Sequence, residues 1–334
     1  MAPAFRFARS GLGFSLLAVS GCAPRPVRLV VVTSSVAQTI SLLGDTLYGL
    51  PLDPAGGPAR VRRIQAARSA VARDSSDVSA WLRLGRSTVE MGRLRDAVGV
   101  YSSLAEVHFE DPRVWRHRGE VLLRLRYLDR AIADLRKAGL LALNKPRLLE
   151  SPPGTGDSVS GRSAWADLTT LQYQVPFLLG FALYCKGDYS AASTVLAEAT
   201  KAALTADELS HAMLWLFFAV RRIGDGSGAA EVLSLVRPEW AEGARLPDIT
   251  LLLGYKGQFS SDTIRARAMT LRGEAGALYS YGIAYYLMLK PETREDGELW
   301  LERARSGQNW AAFPYLAAEA DLARLRNAGR AIVR

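Results

Sequence analysis

Trp81 and Trp115 stand 34 residues apart, and the residues around them recur at matching spacings. The first unit reads Trp81, Leu84, Gly85, Gly92, Ala97 and Tyr101. The second reads Trp115, Gly119, Leu122, Ala131, Leu135 and Ala138. Trp to Gly is four residues and Trp to Ala is sixteen in both. A third unit keeps the frame with Leu179, Gly180, Leu183, Gly187, Ala192, Leu196 and Ala199. Twelve residues separate Gly180 from Ala192, as they do Gly85 from Ala97 and Gly119 from Ala131. A fixed period of this length marks a supersecondary unit that cannot bury its apolar face alone and must stack on copies of itself.

The period and the placement of small residues match the tetratricopeptide repeat (TPR), an antiparallel helix pair. Its small residues sit where the two helices cross closely, and its large ones fill the layer between pairs. The spacing predicts an all-α fold, a right-handed α-solenoid of TPR helix pairs. Beyond residue 205 the pattern loosens. Met213–Val220 followed by a Gly224–Gly228 turn predicts another pair, and so does Leu246–Ala268, with Ser260 or Ser261 as N-cap of its second helix. A last unit has Leu278, Gly282, Tyr285 and Ala304, with Gly297 fifteen rather than twelve residues after Gly282. A helix over Ala311–Asn327 is expected to cap the array, and one over Ala59–Arg73 to cover its start. No strand-like alternation competes.

The frame is broken once. Trp115 and its third-unit equivalent, Pro176, are 61 residues apart, which leaves an insertion of 27 at about 143–169. Such a loop either lies over the groove or projects as a surface excursion.

The N-terminus reads as an address. Arg6 and Arg9 precede a short apolar stretch, Gly11–Val19, and then Ser20, Gly21 and Cys22. This is the layout of a secretory signal, with a centre too short to span a bilayer as a helix. Val19-Ser-Gly-Cys22 matches the bacterial lipobox, which predicts acylation of Cys22 and cleavage before it. Ala23 follows, not Asp, so the outer membrane is favoured in a host that has one. The expected organisation is a signal at 1–21, a tether at 22–57, repeats 1–2 with their leading helix at 58–142, the insertion at 143–169, and the remaining helix pairs with a cap at 170–334.

Composition narrows the chemistry. Two cysteines and three scattered histidines cannot build a disulfide scaffold or a familiar metal motif, so no metal and no cofactor are expected. Cys185 has no histidine nearby in sequence and reads as a structural thiol. Pro153–Gly156 lacks the lysine of a phosphate-binding loop. Glu90, Glu120 and Asp134 read as repeat-surface charges, and His117 as a groove or surface residue. No enzyme is expected. The formal charge of +9 falls to +7 once residues 1–21 are removed, and residues 59–137 alone carry 17 basic and 10 acidic side chains. Arginine outnumbers lysine 36 to 6, a bias typical of GC-rich coding, so nucleic-acid binding is not inferred.

In a TPR array the first helix of each pair lines the concave face. Counting from each Trp-equivalent position places Arg86 and Glu90, then Arg116, Glu120 and Arg124, then Phe177 and Phe181 there, with Tyr184 beside them. Such a groove is basic at one end and aromatic at the other, suited to an extended peptide. The alternative is that the aromatics pack against the insertion. The Lys/Asn pattern of a carboxylate clamp is missing, since Leu82 and Arg86 occupy two of its places.

A lipobox followed by a TPR array resembles the bacterial TPR lipoproteins of the NlpI type. Trp115-Arg-His-Arg-Gly119, Asp129-Arg-Ala-Ile-Ala-Asp134 and Pro314–Arg324 look similar to a group of uncharacterised bacterial TPR proteins. The resemblance implies a non-catalytic scaffold in the cell envelope, anchored in the lipid bilayer through acylated Cys22, facing the periplasm and binding protein or peptide partners. The alternative is a solute-binding module that encloses a small molecule between groove and insertion.

Overall fold

The computed structural model describes residues 36–50, 56–150, 169–240 and 247–332. The expectations for residues 1–35, Cys22 included, and for 151–168 lie outside the described residues. The described residues all fall in one compact unit.

The fold is an all-α array of antiparallel helix pairs. In chain order these are α1 (Gly57–Arg73), α2 (Val78–Glu90), α3 (Leu94–Val107), α4 (Pro112–Arg124), α5 (Leu128–Ala142), α6 (Leu171–Lys186), α7 (Tyr189–Ala202), α8 (Ala206–Arg222) and α9 (Gly226–Leu235). There follow α10 (Pro247–Tyr255), α11 (Ser261–Thr270), α12 (Gly273–Leu287), α13 (Arg294–Ala304) and α14 (Phe313–Ile332). Short polar side chains start many of them. Asp77, Asp111, Asp188, Thr205 and Ser260 each accept a hydrogen bond from a backbone N–H of their first turn, satisfying a donor that the helix cannot.

The repeat spacing has a direct physical cause. A Cβ on Gly85, Gly119 or Gly180 would overlap Tyr101, Leu135 or Leu196, in each case the side chain sixteen residues on. Ala97, Ala131 and Ala192 are completely buried at the same crossings. The Trp81 and Trp115 indoles each donate to a carbonyl six residues upstream, of Ser75 and Phe109, and so fasten each pair to the preceding turn. The three extra residues of the last unit form a single 3-10 turn, Pro291–Thr293.

Two features depart from expectation. Short strands occur: β1 (Ala37–Ile40) pairs with β2 (Thr46–Tyr48) inside the segment read as a tether, and β3 (Leu149–Glu150) pairs with β4 (Thr169–Thr170) at the base of the insertion. Strands of two to four residues are too short for alternation to register in sequence. The second departure is the final helix. Rather than only closing the end of the array, α14 packs against α6, α12 and α13. Its residues from Phe313 to Leu322 are buried among the aromatic side chains of those helices. Ala317, Ala318 and Glu319 have no exposed surface.

Candidate functional site: the inner face of the repeats

The residues expected to line the groove are brought together on the inner face, and each described partner belongs to the chain itself. Phe177 and Phe181 pack on Phe313 at the start of α14, with ring centroids 5.9 and 4.7 Å apart. Tyr184 is fully buried, and its hydroxyl donates to that of Tyr281 at 2.6 Å. Tyr281 in turn donates to Asp321 of α14 at 2.9 Å. Arg222 and Arg324 complete the shell of that carboxylate at 2.7 and 2.6 Å. The aromatic half of the expected groove is therefore core. Among the described residues, what it packs against includes the C-terminal helix.

The basic half is also paired. Arg116 is buried and bridges Glu120 and Glu150 of β3. Arg124 binds the other oxygen of Glu120 at 2.9 Å, donates to the Ala311 carbonyl at 2.8 Å and lies over the Phe313 ring. Burial works against the Glu150 carboxylate, but the charges of Arg116 and His117 outweigh it and hold the group well below its usual range. The Glu120 carboxylate is likewise held down against its burial, by Arg124 and Arg116. Glu90 accepts from Arg63 of α1 at 2.8 Å, and Arg86 is half-buried.

Three surface assignments change accordingly. Asp134 is buried and held by Arg118 at 2.7 Å. Glu120 belongs to the cluster just described. His117 is buried, stacked on Tyr101 with centroids 5.4 Å apart. Burial and the Arg116 charge lower its pKa against the opposing pull of Glu150. Cys185 is a buried free thiol pushed far above the ordinary range by desolvation, which suppresses the reactive thiolate.

The sequence missed Arg126 and Glu319, which join the two ends of the described fold. Arg126 donates to both oxygens of Glu319, at 3.2 and 2.7 Å, and to the Trp310 carbonyl at 2.8 Å. Glu319 also accepts the Leu42 N–H at 2.5 Å, between β1 and β2. Arg126 has a left-handed backbone, φ 69°. Its counterparts in the repeat frame are Gly92 and Gly187, which share that conformation at φ 69° and 93°. An arginine standing where the other repeats have glycine was the available signal, because a non-glycine residue there is strained by about 1–2 kcal/mol.

A second unforeseen pair is His211 on α8 and Asp248 on α10, with Nδ1 2.7 Å from the carboxylate. Burial disfavours the imidazolium, but the Asp248 charge outweighs it, aided by Glu274 and Asp207, and the pKa rises above its ordinary 6.5. The folded value exceeds the unfolded one, so this pair contributes stability that is complete below about pH 6.5 and is lost as pH rises through the folded value. His117 works in the opposite direction. His211→Asn should therefore abolish the part of the loss seen in urea unfolding above pH 6.5. Identical pH dependence in variant and wild type would refute this assignment.

The outer edge of repeats 1 and 2 differs in kind. Val107 and Phe109, 68% and 54% exposed, line an open cleft of about 480 Å³ with Asp111, Lys145 and Leu148. Leu143 and Leu149, which flank Lys145–Leu148 in the chain, are exposed as well. A second cleft of about 450 Å³, between α10, α11 and α12, is lined by Tyr255, Phe259, Ile264, Arg265, Ile283 and Tyr286. No helix among the described residues is long and apolar enough to cross a membrane.

No family model matches the chain, and no curated protein does. Among solved structures the chain is similar to MamA, at 14% identity and a TM-score of 0.39, over 59% of this chain and 90% of that one. A MamA mutant gives 16% identity and a TM-score of 0.37, over 54% and 87%.

Proposed function

We propose that this chain is a non-catalytic helical-repeat adaptor of the bacterial cell envelope, held at a lipid bilayer by acylated Cys22, that binds protein partners. One observation carries the protein-binding reading: the apolar edge at Val107, Phe109, Leu143 and Leu149. Exposed apolar side chains beside an open cleft are a feature of protein contact sites. The inner face is committed to the chain's own helix and strands, so partner recognition is assigned to the edge. Arg116, paired with Glu150, then holds the strand that carries Leu149, while Glu90, Glu120 and Arg124 serve contacts within the fold. The solute-binding alternative draws on the aromatic cleft between α10, α11 and α12.

Affinity capture from detergent-solubilised envelopes of the source bacterium tests this reading. An edge variant carrying Phe109→Asp and Leu143→Asp should retain its helical circular dichroism. It should lose partner recovery by about 30-fold or more, the scale expected when an aromatic anchor is removed. Recovery equal to wild type would reject the edge as the binding surface.

A further inference from the structure

We infer that one end of the first repeat is a docking surface for an anionic lipid bilayer, so that the tethered molecule lies on the membrane in one orientation. The inference rests on the reading that Cys22 is the membrane anchor. Three segments meet at this end. Arg63 of α1 pairs with Glu90 at the C-terminal end of α2, which places the N-terminal half of α1 there. The Gln38 side chain of β1 accepts the Arg95 N–H just past the α2–α3 turn, which places the β1–β2 hairpin there too. The tether from Cys22 arrives at Val36, fourteen residues on. At full extension it reaches no more than about 50 Å.

The chemistry of this end suits lipid phosphates. Helix α1 carries five arginines and no acid over its 17 residues. Its Ile64 and Ala67 face inward, while Arg62 and Arg68 are exposed. Arg95, also exposed, uses one guanidinium nitrogen on the Ala37 carbonyl at 3.4 Å. None of Arg62, Arg68 and Arg95 is paired with a carboxylate among the described residues. The acids in these segments are already neutralised: Glu90 by Arg63, Asp96 by Arg93 and Asp45 by Arg305. Ile40 and Tyr48 of the hairpin and Val61 of α1 are exposed in the same segments. Cationic heads beside exposed aliphatic and tyrosine side chains are what the interfacial zone of a bilayer accommodates.

Each arginine near an anionic surface contributes about a fivefold gain in partitioning, so three contribute about 100-fold. That orients a tethered protein and is too weak to hold an untethered one in a cell. The test uses residues 23–334, which contain the whole compact unit and lack the acylation site, so it is independent of whether Cys22 is modified. Partitioning is measured by co-sedimentation with vesicles of equal phosphatidylglycerol and phosphatidylcholine, and with phosphatidylcholine alone, at low and at high salt. Binding is expected only to the anionic vesicles at low salt. Arg62→Gln, Arg68→Gln and Arg95→Gln together should lower it about 100-fold with the melting temperature unchanged. A charge-matched control, with Arg237, Arg265 and Arg272 replaced by glutamine, should lower it no more than a few-fold. Equal binding to both vesicle types, or equal losses in the two triple variants, would overturn the inference.

Discussion

Glu319→Ala is expected to destabilise the fold by about 3–5 kcal/mol, because it leaves the Arg126 guanidinium buried without its counter-charge. The Arg126 side chain is 2% exposed and that of Glu319 is completely buried. Losing the carboxylate also strands the Leu42 N–H that it accepts. Total stabilities run to about 5–15 kcal/mol, so the loss is a large share of the whole. Urea unfolding followed by circular dichroism measures it. Arg126→Gly separates the two roles of that position. The glycine removes the left-handed backbone strain but orphans Glu319, and should still be strongly destabilising. Replacing both partners with apolar residues of similar volume should restore much of the loss, since buried ion pairs are often replaceable together. A Glu319→Ala midpoint within error of wild type would show that the ion pair does not hold α14 in place.

The acylation proposed for Cys22 carries the second large expected effect. A precursor whose residues 1–21 are exchanged for a cleavable secretory signal, and which carries Cys22→Ser, should move from the membrane fraction almost entirely to the soluble one. Several acyl chains on one residue give firm anchoring, whereas even a single myristoyl chain binds only marginally. Three arginines add about 1 kcal/mol each at an anionic surface, which cannot replace those chains. Incorporation of labelled palmitate should disappear in parallel. Retention of the variant in salt-washed membranes would reject Cys22 as the anchor, whatever the vesicle measurements show for the first repeat.

Much of the fold is legible in the sequence because a repeat records its packing geometry once per unit. Gly85, Gly119 and Gly180 each face the residue sixteen positions on, and that crossing is the same physical event three times. Ser260 caps its helix as a serine before a polar first turn should. The inner face was harder to read. Counting along the frame finds which side chains point inward and cannot say what meets them. Arg116 and Arg124 looked like ligand-binding cations because their partners, Glu150 and the Ala311 carbonyl, lie 34 and 187 residues away in sequence. Phe181 and Tyr184 looked like an aromatic platform for the same reason.

What the sequence determined by itself is the local and periodic part: helix identities, turn positions, the glycine crossings and the all-α array. These follow from contacts between residues a few turns or one repeat apart, where spacing alone fixes geometry. What only the tertiary structure decided is the use of the inner face. The pairing of Arg126 with Glu319 spans 193 residues, and that of Tyr281 with Asp321 joins α12 to α14. Both turn an apparent groove into the bed of the chain's own last helix. No periodicity encodes such contacts, because α14 belongs to no repeat. It is placed by buried acids meeting buried arginines, and the cost of leaving either charge unpaired fixes where it lies.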